Sequence, residues 1–297
     1  MATLPIQGAF TALVTPFKSD LSIDWDAFDK LVARQLEGKV SGVVPCGTTG
    51  ECPTLSFAEQ EEVVKRTVKA VAGRAFVLAG AGSNATDEVV DLAKAAAKAG
   101  ANAIMTVMPY YNKPSQEGLF RHIRSVASAV DVPVVLYNVP GRTAVDLSVE
   151  TTLRALDACK NVVAVKDASG NVMYCQDLLQ RAGDRVIVMC GDDALTVPMM
   201  AVGAKGVISV TSNIYPGAVQ EVTELMLRGE YRTAIAKHAA LFPLHRALFS
   251  EPSPQPTKGL ASAKGWMQNV LREPMIECSD TTIQRLLALA ATYEAKP

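Results

Sequence analysis

A single lysine stands at the end of an apolar run that is typical of a buried β-strand. Residues 162–167 read V-V-A-V-K-D, so Lys166 directly follows β-branched residues. A lysine in this position most often extends to solvent and pairs with a carboxylate, here Asp167. The alternative is a nucleophile that attacks a carbonyl group and forms an imine. That chemistry requires a neutral amine, and an apolar environment disfavours the charged ammonium form.

Other residues suited to carbonyl chemistry also follow apolar runs. Residues 47–51 read G-T-T-G-E, and the N–H groups and hydroxyls of Thr48 and Thr49 could hold a small carboxylate. Glycines around threonines are often only a turn, so this motif is weak by itself. Tyr137 ends another run and could transfer protons beside the lysine. Arg142 follows a Pro-Gly turn and could bind a carboxylate through two parallel hydrogen bonds.

A repeated pattern of strands and helices could bring these residues together. Short apolar runs, each too apolar to be a half-exposed antiparallel strand, alternate with helix-like segments in units of about 20–34 residues. The eight runs cover residues 8–17, 42–47, 76–82, 103–111, 133–140, 162–167, 186–191 and 206–210. Eight such units favour an α/β fold, a closed (β/α)8 TIM barrel, over an open doubly wound sheet. The chemistry of such a barrel lies at the carboxyl ends of its strands, where Lys166 would meet the other polar residues.

The helix-like segments carry start and stop signals. Residues 56–59 form a capping box before one of them, and Ser115 and Ser148 are expected to cap two others. Asn84 is predicted to cap the segment that follows it, and Gly100 is predicted to end that segment.

The alternation of strands and helices ends near residue 228. The chain after that point predicts three further helices, at residues 230–249, 257–271 and 280–295. We therefore expect a catalytic barrel over residues 1–228 and a C-terminal helical extension over residues 229–297.

Composition excludes several classes of function. The net charge of −1 in 297 residues gives no indication of a nucleic-acid or membrane-surface partner, and no apolar stretch is long enough for a membrane span. The six cysteines contain no C-x-x-C pair and are expected to be reduced thiols of a cytoplasmic protein. The three histidines show no metal-ligand spacing, so we expect them to be structural and predict no metal.

Six motifs together resemble the dihydrodipicolinate synthase family of pyruvate-dependent class I aldolases, a superfamily that includes N-acetylneuraminate lyase. The motifs are GTTGE at 47–51, PYYNKPSQEG at 109–118, YNVPGRT at 137–143, VKDASGN at 165–171, GDDA at 191–194 and GVISVTSN at 206–213. Each motif is weak alone. Their order and spacing across essentially the whole chain make the resemblance specific.

The resemblance implies a mechanism that needs no cofactor. Lys166 would form an imine with pyruvate, and the derived enamine would attack the aldehyde of L-aspartate 4-semialdehyde. Cyclisation and loss of water would give the heterocyclic precursor of diaminopimelate and lysine. Tyr137 would relay protons in a hydrogen-bonded chain through Thr49 to Tyr111.

The resemblance also implies which residues bind the two small-molecule substrates. Thr48 and Thr49 would hold the pyruvate carboxylate, and Arg142 would receive the carboxylate of the aldehyde. Gly191 and the backbone of Ile208 would line the pocket. No nucleic-acid or membrane partner is implied.

Two further implications concern assembly and regulation. The tyrosine that matches Tyr111 reaches the pocket across a subunit interface in this family, so a homotetramer built as a dimer of dimers is expected. A feedback site for lysine would include Asn84, Glu88 and Tyr110. However, lysine-sensitive bacterial relatives carry histidines at the positions of Phe57 and Gln60, so we predict weak or absent inhibition by lysine.

Three other functions are less favoured by these residues. A sister aldolase, such as a sialate lyase, a 4-hydroxy-2-oxoglutarate aldolase or a sugar-acid aldolase, would use the same lysine and tyrosine, but Arg142 with the threonine pair and Tyr111 favours the synthase. A silent regulatory paralogue would have no need to retain Lys166, Tyr137, Thr49, Tyr111 and Arg142. A phosphate-binding barrel would cradle phosphate after strands 7 and 8, where GDDA instead places two carboxylates.

Overall fold

A computed structural model describes residues 6–295 of the chain. Residues 1–5, which begin the predicted catalytic barrel, and residues 296–297, which end the predicted helical extension, lie outside the described residues. Eight parallel strands close into one barrel in chain order. The strands are β1 (Gly8–Ala12), β2 (Gly42–Val44), β3 (Phe76–Gly80), β4 (Ala103–Val107), β5 (Val134–Asn138), β6 (Val162–Asp167), β7 (Ile187–Cys190) and β8 (Gly206–Ser209). The predicted TIM barrel is confirmed, and each strand lies within its predicted run.

Helices connect successive strands and continue after the last one. They are α1 (Trp25–Glu37), α2 (Phe57–Val71), α3 (Thr86–Lys98), α4 (Gln116–Ala127), α5 (Pro140–Thr143), α6 (Val149–Ala158), α7 (Val172–Ala182), α8 (Thr196–Ala201), α9 (Pro216–Leu227), α10 (Tyr231–Ala247), α11 (Gln255–Ala263) and α12 (Asp280–Glu294). The last three are the predicted extension, with the middle helix shorter than its predicted range 257–271. No helix in residues 6–295 is long and apolar enough to cross a membrane.

The barrel closes because β8 pairs with β1 as well as with β7, Gly8 lying opposite Gly206. Both faces of every strand are buried, which explains why the runs are apolar throughout rather than alternating. One face fills the barrel interior, where the rings of Phe10 and Phe76 lie 5.6 Å apart. A Cβ atom at Gly42 would lie 2.4 Å from the ring of Phe10, so this position requires glycine. The other face packs against the surrounding helices.

Three of the four predicted helix starts are confirmed. The Ser56 side chain and Glu59 form a complete capping box, and Ser115 and Ser148 each accept a hydrogen bond from the backbone of the first turn. The prediction for Asn84 was wrong. Helix α3 begins one residue later, after Ala85, and has no side-chain cap. Gly100 takes the left-handed conformation just beyond the end of α3, as predicted.

His122 lies on α4 against α3, and 4% of its surface is exposed. Its Nδ1 atom is 3.0 Å from Thr86 Oγ1, and its Nε2 atom is buried without a partner among the described residues. Burial lowers the pKa of His122 to about 4. The imidazole is therefore neutral in the fold at neutral pH.

This burial predicts a loss of stability in acid. In the unfolded chain His122 gains a proton below about pH 6.5, whereas in the folded chain it does so only near pH 4. The free energy of unfolding therefore falls as the pH is lowered through this window. The full contribution is roughly 3 kcal/mol. Urea unfolding at several pH values should show a smaller loss between pH 6.5 and 4 for His122→Asn than for the parent chain. Parallel curves for the two proteins would contradict the assignment.

Candidate active site

A cavity of about 250 Å³ opens at the carboxyl end of the barrel. Its walls come from the loops after β2 and β5, from the ends of β6 to β8, and from the C-terminal part of α10. The lining residues are Thr48, Thr49, Tyr137, Val139, Arg142, Lys166, Ala168, Gly191, Asp192, Ala194, Ile208, Val210, His245, Arg246, Phe249 and Ser253.

Lys166 projects into this cavity from β6. Its exposure is 6%, and its amine makes no hydrogen bond or ion pair with any residue between 6 and 295. The amine lies 4.1 Å from the centre of the Tyr137 ring, because the two residues are register partners on adjacent strands. An unpaired amine at this position is available to a ligand in the cavity.

Asp167 does not pair with Lys166, because successive residues of a strand point to opposite faces. Its side chain is buried outside the barrel, where Oδ1 accepts a hydrogen bond from the Ser169 N–H at 2.9 Å. Burial raises the pKa of Asp167. The alternative of a salt-bridged surface lysine is therefore not what the fold shows.

The two threonines lie on a short 3-10 turn, Thr48–Gly50, after β2. Thr49 is buried and Thr48 half-buried, and neither hydroxyl is bound by another described side chain. The Thr15 side chain holds this turn in place, since its Oγ1 donates a 2.7 Å hydrogen bond to the Gly50 carbonyl. The hydroxyls are thus available to a ligand in the cavity.

Glu51, the last residue of the GTTGE motif, anchors this turn to the C-terminal extension. It takes a left-handed conformation with φ of 56°, and its Oε1 lies 2.6 Å from the amine of Lys258 on α11. Lys258 is fully buried and also donates to the Thr15 carbonyl at 2.9 Å. Burial lowers the pKa of Lys258 to about 8, although Glu51 favours the charged form. Sequence reasoning missed this pair, because nothing local marks Lys258 as a partner 207 residues away.

Arg272 makes a second connection from the extension. Its guanidinium binds both carboxylate oxygens of Glu59 and the carbonyls of Leu21 and Thr54. Its backbone N–H donates to Glu51. The bond from Arg272 lowers the pKa of Glu59 to about 2.

Arg142 and Gly191 lie on either side of Lys166. Arg142 is exposed on the short helix α5 after β5, and it forms no ion pair within the described chain. Gly191 follows β7 and approaches β6 so closely that a Cβ atom would lie 2.6 Å from that of Ala168. Ile208 lines the cavity from β8. Strands β5 and β7 both pair with β6, so these residues flank the amine.

His245 also lines the cavity, although it was expected to be only structural. Its Nδ1 atom lies 2.8 Å from Thr211 Oγ1, and its ring is 5.1 Å from that of His238. Burial lowers the pKa of His245 to about 4. The helical spacing of the two histidines was visible in the sequence, but contact with the cavity depends on how α10 crosses the barrel mouth.

Tyr111 is the one predicted catalytic residue that the chain does not bring to the cavity. It is 88% exposed and has φ of 70°, an unusual value for a bulky side chain. No hydrogen bond joins Tyr111, Thr49 and Tyr137 within the described residues. The strained backbone displays the ring away from its own barrel.

The predicted effector residues lie together beside this loop. Glu88 accepts a hydrogen bond from the Ser83 hydroxyl. Burial raises the pKa of Tyr110, and Cys52 and Glu88 add smaller effects in the same direction. The carbonyl of Asn84 accepts a bond from Asn112. Gln60 is buried and its amide donates to backbone carbonyls of the fold, so it presents no donor to this region.

Comparison with known proteins agrees with the observed fold. Residues 5–292 match the model of the dihydrodipicolinate synthetase family. A 4-hydroxy-tetrahydrodipicolinate synthase of Sorangium cellulosum is 52% identical over 297 residues, covering 100% of this chain and 99% of the relative.

Two solved structures of synthases are also similar to this chain. The 4-hydroxy-tetrahydrodipicolinate synthase of Methylacidiphilum fumariolicum is 39% identical with a TM-score of 0.95, covering 98% of this chain and 96% of that one. Dihydrodipicolinate synthase of Aquifex aeolicus is 40% identical, also with a TM-score of 0.95, covering 97% and 98%. These relatives carry the name of the synthase rather than that of a sister aldolase. The chain belongs to the dihydrodipicolinate synthetase family.

Proposed function

We propose that this chain is a lyase that condenses pyruvate with L-aspartate 4-semialdehyde, through an imine on Lys166, in the biosynthesis of diaminopimelate and lysine. The observation that carries the proposal is the state of Lys166. Its amine is buried and unpaired among the described residues, 4.1 Å from the Tyr137 ring, in a cavity that also holds the threonine pair and Arg142.

The first step is attack of the Lys166 amine on the ketone carbon of pyruvate. The carbonyl oxygen leaves as water and a C=N bond replaces it. We assign the pyruvate carboxylate to the hydroxyls and N–H groups of Thr48 and Thr49, since a fixed turn with free donors suits a small anion. Gly191 and Ile208 line the same cavity and are our candidates for the remaining wall of the pyruvate pocket.

The second step forms the new carbon–carbon bond. Loss of a methyl proton converts the imine into an enamine, and its carbon attacks the aldehyde of the second substrate. Tyr137 adjoins the imine nitrogen and is our candidate for the group that moves these protons. Arg142 is exposed at the mouth and is our candidate for the carboxylate of the aldehyde.

Reduction by borohydride in the presence of pyruvate tests the imine. Lys166→Arg should abolish trapping and lower kcat by roughly 10³-fold or more, because guanidinium cannot act as the nucleophile. Peptide mass mapping of the parent chain should place the pyruvate adduct on Lys166. The matched control is Lys205→Arg, an exposed lysine just before β8, which should trap normally. An adduct on another residue, or none, would overturn the mechanism.

A second assay tests which aldehyde the enzyme uses. L-aspartate 4-semialdehyde should be consumed with pyruvate at a kcat/KM far above the values for cleavage of 4-hydroxy-2-oxoglutarate or sialic acid. Trapping at Lys166 combined with a preference for one of the other two compounds would identify a sister aldolase.

The exposure of Tyr111 supports an assembly in which it completes the cavity of a second copy. The ring is 88% exposed and lies outside the cavity of its own chain. We propose a dimer that exchanges Tyr111, with Tyr111 linked through Thr49 to Tyr137. Further apolar side chains are more than half exposed, Met173 on α7 and Tyr231 and Ile235 on α10, and we propose them as candidates for the contacts that pair two dimers into a tetramer.

Mixed dimers test this exchange directly. Lys166→Arg and Tyr111→Phe should each be impaired as pure proteins. If Tyr111 acts across the interface, a mixture refolded at equal amounts contains mixed dimers with one intact site, restoring about a quarter of parent activity. If Tyr111 acts within its own chain, no activity returns. Sedimentation should show at least a dimer at assay concentration.

We propose that lysine inhibits this enzyme weakly or not at all. Asn84, Glu88 and Tyr110 are present, but Gln60 is turned into the fold and Phe57 is a 49% exposed apolar ring. Steady-state rates should therefore be nearly unchanged at sub-millimolar lysine. Strong inhibition in that range would contradict this, and Asn84→Ala would then show whether the expected site is responsible.

A further inference from the structure

The GDDA segment contributes two carboxylates at the end of β7, and the function proposed above uses neither. Asp193 has a structural role that the contacts define. It is buried and accepts hydrogen bonds from the Ser209 hydroxyl and from the N–H groups of Val210 and Thr211. It therefore fixes the end of β8 and is not available to a ligand.

Asp192 is placed differently. It is half-buried and lines the cavity, and among the cavity-lining residues of the described chain it is the only carboxylate. Its Oδ1 accepts a 2.9 Å hydrogen bond from the Ala194 N–H, which fixes the side chain. Its Oδ2 has no hydrogen-bond partner within residues 6–295 and is not sealed by protein, so it can accept a bond from a ligand.

Two guanidinium groups share this cavity with Asp192. Arg142 follows β5 and Asp192 follows β7, so they stand on opposite sides of Lys166 on β6. Arg246 comes from the last turn of α10 and forms no ion pair within 4.0 Å with any described carboxylate. Its positive charge nevertheless acts on Asp192, lowering a pKa that burial raises.

We propose that Asp192 binds the ammonium group of an α-amino aldehyde whose carboxylate is held by Arg142, and that Arg246, which lines the same cavity, is a positioning residue for Asp192. The inference rests on the proposed function and specifies how its second substrate is selected. An α-amino acid carries both charges on one carbon, and this cavity offers a charge of the opposite sign for each. A sugar aldehyde has no ammonium group and would leave Oδ2 of the half-buried Asp192 without a partner.

The charges around Asp192 are consistent with this role. Burial raises the pKa of Asp192, and the Ala194 N–H lowers it. Asp193 on the same segment adds to the rise, while Arg246 and His238 on α10 oppose it. Burial lowers the pKa of His238, so this imidazole is neutral near pH 7. Lys166 on β6 and Arg142 after β5 also face the cavity, but the function proposed above commits Lys166 to the imine and Arg142 to a carboxylate. Arg246 is left as the permanent positive charge beside Asp192.

The first test compares two aldehydes that differ only in the amino group. Asp192→Asn retains the Ala194 contact but removes the charge. Its kcat/KM for L-aspartate 4-semialdehyde should fall about 10- to 100-fold, chiefly through KM. The inhibition constant of succinate semialdehyde, which lacks the amino group, should change less than about threefold. Asp184→Asn, an exposed carboxylate before β7, is the control. Equal losses for both aldehydes, or no loss, would overturn the assignment.

The second test concerns Arg246. Arg246→Gln should shift the acid limb of kcat/KM for the amino aldehyde to higher pH, because the variant removes a positive charge that lowers the pKa of Asp192. Arg246→Lys should restore the parent profile. Arg232→Gln, on the exposed face of the same helix, should leave it unchanged. A glutamine variant with the parent profile would remove Arg246 from the proposal.

Borohydride trapping separates this inference from the proposed function. The Asp192 and Arg246 variants should still form the pyruvate adduct on Lys166. If the parent chain forms no adduct, the proposed function fails. If all proteins form the adduct but the two aldehydes are not distinguished by Asp192, only the present inference fails.

Discussion

The structure of the mouth depends on one buried ion pair, between Glu51 and Lys258. Both side chains are withdrawn from water, and Lys258 also binds the carbonyl of Thr15 at the end of β1. Removing either partner would leave an unpaired charge in the interior and lower the free energy of unfolding by about 3–5 kcal/mol. The turn that carries Thr48 and Thr49 and the helix α11 are therefore stabilised together. The helical extension is part of the site's support, and Arg272 reinforces it through Glu59.

The sequence was informative where a local pattern follows from burial. All eight strands were predicted because parallel strands packed on both faces must be apolar throughout. Ser56, Ser115 and Ser148 were recognisable as caps because a cap is a short-range hydrogen bond. Lys166 stood out because an amine after such a run is costly, and Tyr137, Arg142 and the threonine pair could be placed by the rule that barrel chemistry lies at strand ends.

The sequence was less informative where a contact joins distant segments. Nothing near Lys258 distinguishes it from a surface lysine, since its partner lies 207 residues away. The same limit hid the contact of His245 and Arg246 with the cavity, which depends on the path of α10. Asn84 was misassigned as a cap because α3 begins after Ala85, one residue later, and the start of this helix depends on the folded loops around it. The structure was also needed to show that Asp192, and not the adjacent Asp193, lines the cavity.

The register between β5 and β6 has a consequence for how this scaffold tolerates change. Tyr137 and Lys166 are paired by the backbone ladder, and their separation is set by hydrogen bonds within the sheet. The loops on the opposite rim, which lead from each helix into the next strand, take no part in that pairing. Residues inserted there would lengthen an exposed connection without altering the reacting pair. Variation of length between relatives, and the attachment of new segments by engineering, should therefore concentrate on the amino-terminal rim of the barrel.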